Sequence, residues 1–178
     1  MHFAAKQLSP KINLHAEFAY GAGQIDPSKA VCPGLVYDAD EIDYVRFLCG
    51  QGYSSRNLQL ITGDNSTCSE TSSARDLNYA SFALFSPPSN SNKVSGNFNR
   101  TVTNVGSATS TYKAQVIAPE GLKIEVNPSV LSFTSLNQKR SFVLTIDGTI
   151  NEPVVSASLT WDNGEVQVRS PIVVFNTA

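Results

Sequence analysis

From about residue 81 onward, apolar and polar residues alternate in short runs separated by turn residues. Tyr112, Ala114, Val116 and Ala118 occupy every second position, so a strand over 111–118 turns them to one face. The same period returns in Leu122, Ile124 and Val126, in Phe142, Leu144 and Ile146, and in Val155, Ala157, Leu159 and Trp161. Further strands are predicted over 81–85, 94–105 (with a bulge at Gly96) and 130–133, and around Val166, Val168, Ile172 and Val174. The prolines of the loop 86–92 cannot pair in a sheet. Asn163-Gly164 favours a tight type I′ hairpin.

Upstream the period changes. Ile42, Val45, Leu48 and Cys49 fall three and four apart, as on one face of a helix. Asp38 or Asp40 can cap that helix, whose acidic first turn suits the macrodipole. Ser54 or Ser55 can cap a second helix through Leu58 and Ile61, ended at Gly63. Pro33-Gly34 marks a turn, and Leu35-Val36-Tyr37 reads as a short strand. Residues 66–73 are polar and rich in Ser and Thr, and read as a linker. Roughly seven or eight short strands punctuated by turns indicate an immunoglobulin-like or fibronectin type III-like sandwich. The expected fold is therefore mostly β, with a mixed segment in front.

Composition narrows the functions open to the chain. It has 178 residues, 41% of them apolar, enough for a core. With 13 basic and 15 acidic residues spread thinly, it offers no basic footprint for nucleic acid and no stripe for an anionic membrane. No apolar run reaches the roughly 18 residues of a transmembrane helix, and residues 1–9 do not read as a signal peptide. Sequons at Asn65 and Asn99 fit a secretory route; Pro128 disqualifies Asn127.

Candidate chemistry is sparse. There is no Gly-x-Ser-x-Gly elbow, and the only histidines are His2 and His15, both in a weakly patterned stretch. Asp38, Asp40, Glu41 and Asp43 lack the glycine and distal glutamate of a calcium loop, and read as an acidic helix start. Trp161 belongs to an alternating series and reads as core. Three cysteines are too few for a zinc site without nearby histidines. Cys49 and Cys68 make the best pair, closing a loop of about 20 residues worth on the order of 3 kcal/mol. Three reduced thiols are the alternative, and Cys32 is the odd one in either case.

Taken in order, several motifs are similar to plant subtilisin-like serine proteases (subtilases) of the cucumisin-like branch. Ala16-Glu-Phe-Ala-Tyr-Gly-Ala-Gly23, Pro33-Gly-Leu-Val-Tyr-Asp38 and Asp43-Tyr-Val-x-Phe-Leu-Cys49 resemble the end of their catalytic domain. Asp76-Leu-Asn-Tyr79, Arg100-Thr-Val-Thr-Asn-Val-Gly106, Pro128-Ser-Val-Leu-Ser-Phe133 and Trp161-x-x-Gly164 resemble their C-terminal fibronectin type III-like domain. The resemblance implies that 1–72 is the incomplete end of a subtilisin-like domain and 73–178 the sandwich. It implies a secreted, glycosylated parent in the extracellular space (the apoplast), hydrolysing protein or peptide substrates with an Asp-His-Ser triad. The Gly-Thr-Ser-Met-type nucleophile motif falls upstream, so no catalytic residue is assigned here, nor any cofactor or metal. The family's cysteines on the helix and linker support Cys49 with Cys68. The expected partner is the rest of the catalytic domain. An independent module binding a cell-wall or protein partner is the alternative, and a truncated reading frame a third. Two positions depart from the pattern: Gln24 follows Gly-Ala-Gly, where His is common, and Ala80 replaces the proline of Leu-Asn-Tyr-Pro-Ser. The second change removes a fixed φ and is expected to loosen the joint.

Overall fold

The computed structural model describes residues 15–68, 73–87 and 92–176. Two sheets face each other around one core. The first has the order β1-β3-β7-β5, built from Leu35–Val36, Lys93–Asn104, Lys139–Thr149 and Leu122–Asn127. The second has the order β2-β9-β8-β4-β6, from Phe82–Phe85, Gln167–Phe175, Val154–Asp162, Ser110–Ile117 and Val130–Phe133. All pairings are antiparallel except β2 with β9, which brings the first strand of the sandwich proper beside the last. The fold is thus mostly β, a fibronectin type III-like sandwich.

The inward rows are the alternating apolar positions. Trp161, Tyr112, Leu144, Ile146 and Leu159 are completely buried. Aromatic rings meet edge to face: Phe142 with Trp161 at 5.1 Å, Phe82 with Phe98 at 5.4 Å and Tyr112 with Phe133 at 6.0 Å. Such pairs add roughly 1 kcal/mol each beyond the area they bury. Trp161 is therefore core, as its place in the series implies.

Several expectations need correction. No bulge occurs at Gly96, because β3 and β7 pair without a slip from Lys93↔Thr149 to Thr103↔Lys139. The glycine serves packing instead, since a Cβ there would lie 2.7 Å from a Leu84 methyl. The β8–β9 hairpin is not a two-residue type I′ turn, which needs positive φ at both central residues. In the loop, Gly164 alone takes positive φ. The Asp162 carboxylate accepts from Gly164 N–H and the Asn163 side-chain oxygen from the N–H groups of Glu165 and Val166, so side chains close a wider loop. On β4 the buried face stops early. Val116 lies past the end of the short β6 partner and is exposed.

Before the sandwich, the described residues form four short α-helices: α1 (Glu17–Tyr20), α2 (Pro27–Ala30), α3 (Glu41–Gly50) and α4 (Ser55–Thr62). Asp40, rather than Asp38, caps α3, in a reciprocal box with Asp43. Ser54 caps α4, and Gly63 closes it in the left-handed conformation. Leu35 and Val36 lie between α2 and α3 in sequence, yet they form the edge strand of the first sheet, with Leu35 deep in the sandwich core.

Candidate functional site

The most elaborate polar construction lies where the helical segment meets the sandwich. It begins with Gly34, whose φ of +75° turns the chain into β1. A Cβ at that position would come within 2.7 Å of the Tyr112 hydroxyl, so only glycine lets Leu35 enter the core here. Tyr37 follows, with its hydroxyl 3.0 Å from that of the fully buried Ser170. Burial pushes the phenol up to about 12, and the Ser170 hydrogen bond and Arg100 charge offset only part of this. Asp38 then accepts from the Thr103 hydroxyl of β3 and lies 3.8 Å from Lys139.

The strand β3 carries an arginine on its inward face. Arg100 falls between Phe98 and Val102 in the alternation and is only 5% exposed. Its guanidinium lies 4.9 Å from the centre of the Phe82 ring and 5.5 Å from that of Phe98. It donates to the carbonyls of Arg75, Tyr79, Ser81 and Asn99. Burial lowers its pKa to about 10, and the nearby Asp76 charge works against that shift. The group remains a cation at neutral pH, held by backbone dipoles rather than by a paired carboxylate. Its role is to fasten residues 75–81 across the mouth of the core.

Residues 73–81, the linker leading into the sandwich, also cap the open edge of β3. The Asp76 carboxylate accepts from the backbone N–H of Asn99 and from its side-chain amide, at 3.2 and 3.0 Å. The Asn78 side chain accepts from Thr101 N–H and donates to the carbonyls of Thr101 and Asp38, all within 2.8 Å. Two side chains thus do what a neighbouring strand would do, satisfying backbone groups that β7 leaves open. In the sequence, Asp76-Leu-Asn-Tyr79 stands out only as a motif, and Arg100 only as a member of Arg100-Thr-Val-Thr-Asn-Val-Gly106. The even spacing of Arg100 with Phe98 and Val102 is the sequence signal for an inward charge.

On the other side of the linker an open groove of about 660 Å³ runs between α1 and the second sheet, walled by Phe18, Tyr20, Ile25, Tyr44, Tyr79 and Pro171. Phe18, Ile25, Tyr44 and Tyr79 are all exposed. The helix α1 lies on the outer face of β9: Phe18 meets the Phe175 ring at 5.0 Å, and Glu17 accepts from the Ser156 hydroxyl. Beneath it Arg169 donates to the Ala22 carbonyl. Burial raises the Tyr20 phenol and lowers the Arg169 guanidinium.

The residues singled out from the sequence do not converge. Cys49 and Cys68 form a disulfide joining α3 to the segment after α4, and Cys32 is free and exposed. Asn65 sits in the irregular stretch after Gly63, and Asn99 on β3 beside Asp76. His15 precedes α1; His2 lies outside the described residues. Among the described residues no group of three or more His, Cys, Asp or Glu side chains gathers to hold a metal ion, and no helix is long and apolar enough to cross a membrane.

A family model for the fibronectin type-III domain matches residues 76–174. With nine strands in two facing sheets among the described residues and that match, the chain belongs to the fibronectin type-III domain family. The relatives it matches include plant subtilisin-like proteases. It is 47% identical to subtilisin-like protease SBT4.9 of Arabidopsis thaliana over 163 residues, covering 89% of this chain and 23% of that protein. To SBT4.11 of the same plant it is 48% identical over 170 residues, covering 89% and 22%. The likeness to the C-terminal region of plant subtilases therefore stands, and the chain spans less than a quarter of the length of these relatives. A FixG-related protein from Vibrio parahaemolyticus overlaps with a TM-score of 0.40 at 8% identity, covering 48% of this chain and 82% of that one, too slight to bear on function.

Proposed function

We propose that this chain is the C-terminal part of a secreted subtilisin-like serine endopeptidase and acts as its accessory, stabilising region. On this reading residues 1–72 end the catalytic domain and 73–178 form the appended sandwich. The parent cleaves peptide bonds through an acyl-enzyme intermediate; this segment holds no triad and is inactive alone. The observation that carries the proposal is β1: a strand from the upstream part completes the sandwich sheet and puts Leu35 in its core. Anything that positions residues 33–38 is thereby coupled to folding of the sandwich. The exposed aromatic groove beside α1 supports it, because an apolar surface of this kind marks a contact with a further body.

Removing residues 73–178 from the full-length parent is expected to lower folding yield or resistance to heat. Unchanged yield and activity would overturn the stabilising role. The purified chain itself is expected to turn over no peptide substrate; turnover blocked by a serine-directed covalent inhibitor would show a complete catalytic centre. The groove also favours a second reading, an independent module for a cell-wall or protein partner. Pull-down and sugar-array binding by the full chain separate the two.

A further inference from the structure

The two sequons sit in opposite environments. Asn65 is exposed in an irregular stretch, outside any helix or strand, as is Thr67 two residues on. Asn99 is also exposed, but it lies in the middle of β3, opposite Val143 of β7. Every group of the Asn99-Arg-Thr101 sequon that bears on modification is engaged. The Asn99 amide donates to Asp76 Oδ1 at 3.0 Å, and the Thr101 hydroxyl is 2.8 Å from that of Ser141. Between them Arg100 is anchored inside by carbonyls of the linker. The backbone on either side is held by β7 on one edge and by Asp76 and Asn78 on the other.

We propose that Asn99 is an N-glycan acceptor usable only before β3 closes, whereas Asn65 stays usable in the folded chain. The proposal rests on the secretory reading above for its biological setting. In the transfer, Asn Nδ2 forms a bond to the anomeric carbon of a lipid-diphosphate-linked oligosaccharide. The anomeric C–O bond breaks, the lipid diphosphate leaves with its electron pair, and the amide loses one proton. An enzyme performing this must hold both the amide and the hydroxyl two residues on, in a chain free to enter its cleft. A strand tied on both edges cannot enter, and pulling it free means breaking the Arg100 anchor. An irregular exposed stretch can enter. Once made, the modification is compatible with the fold, since an Asn amide has two hydrogens and Asp76 holds only one bond to it. Asn99 lines a polar cleft with Asp43, Lys139 and Ser141, so a glycan there projects from that cleft. Asn99 is not among the residues that wall the apolar groove.

The test offers the full 178-residue chain, made without glycans, to oligosaccharyltransferase and a lipid-linked oligosaccharide in detergent. One sample is folded with its disulfide intact; the other is reduced, alkylated and kept unfolded. Glycopeptide mass spectrometry reads each site. The expected result is modification of Asn65 in both samples and of Asn99 in the unfolded one, with at least a tenfold drop at Asn99 on folding. Equal modification of Asn99 in both samples would overturn the proposal, as would no modification of Asn99 in the unfolded one. Loosening the outer edge with Asp76→Ala is expected to raise transfer to Asn99 in the folded chain; circular dichroism of the same sample checks that the sandwich persists. Because the assay is independent of where the parent resides, its outcome stands apart from the secretory reading. That reading fails instead if the natural protein carries no glycan at either site.

Discussion

In the sandwich, Trp161, Tyr112, Phe82 and Phe133 are no more than 1% exposed, whereas in the helical segment Ile42, Leu60 and Ile61 leave 57–79% of their surface in solvent. The two regions also differ in what joins their parts. The sandwich is held by inward rows meeting across two sheets, with no cysteine in it. The helices rest on a disulfide, on caps, and on what they borrow: β1 from the first sheet and α1 from the outer face of β9. The lesson is that a segment lacking its own core can still be ordered by lending a strand to a neighbour that has one. The boundary felt by the packing is then the linker 73–81, fastened by Arg100, Asp76 and Asn78 from both sides.

The comparison breaks most severely at Trp161. Trp161→Ala should cost about 3–5 kcal/mol of unfolding free energy, read from denaturant unfolding, because the cavity opens against Phe142 in the centre of the core. If the helical segment depends on the sandwich as described, amide exchange in β1 and α1 must rise along with that of the strands; protection surviving there would show an independent unit.

Arg100 tests the fastening. Arg100→Ala leaves carbonyls of residues 75, 79 and 81 without their donor, a loss on the order of 3 kcal/mol. Arg100→Lys should recover little, since one ammonium cannot span carbonyls that a planar fork reaches together. Full rescue by lysine, read as the melting temperature, would reduce the contact to charge alone.

Reducing Cys49–Cys68 should act on the helices and spare the sandwich. The chain-entropy estimate for this loop is about 3 kcal/mol, and it should appear as faster exchange in α3 and α4. A matching fall in strand protection would mean that the two regions unfold as one.

The smallest effect is one of pH. Tyr37 has its phenol raised to about 12 in the folded chain, against an ordinary value near 10. Its neutral form therefore contributes stability that is complete below pH 10 and fades as pH rises toward 12, by on the order of 2–3 kcal/mol. Arg100, lowered to about 10, pushes stability the other way over the same range. The difference between the wild-type chain and Tyr37→Phe isolates the phenol. Identical alkaline unfolding profiles for the two proteins would remove Tyr37 from the account.

Short-range physics accounts for what could be read in advance. Alternation placed the strands, because a side-chain period of two follows from the pleat itself. Capping chemistry placed α3 and α4, because Asp40, Ser54 and Gly63 act on backbone groups within a few residues. The motif order pointed to the subtilase C-terminal region. Three local features were not legible in the sequence. Gly96 and Asn163-Gly164 were assigned local conformations, yet Leu84 and the side chains of Asp162 and Asn163 decide them. Arg100 kept the parity of a core residue, but only the carbonyls arriving from residues 75–81 make an inward cation tolerable.

The residues alone thus determined most strands of the sandwich, the helices α3 and α4 and most inward positions, since those follow from neighbours along the chain; Val116, Arg100 and the short helices α1 and α2 did not follow from them. Only the tertiary structure decided that Leu35 and Val36 belong to the first sheet, that Asp76 and Asn78 stand in for a strand, and that one sequon lies locked while the other lies open. Each of those depends on groups tens of residues apart in sequence. Their meeting is fixed by which buried backbone groups still need a partner once the core has closed.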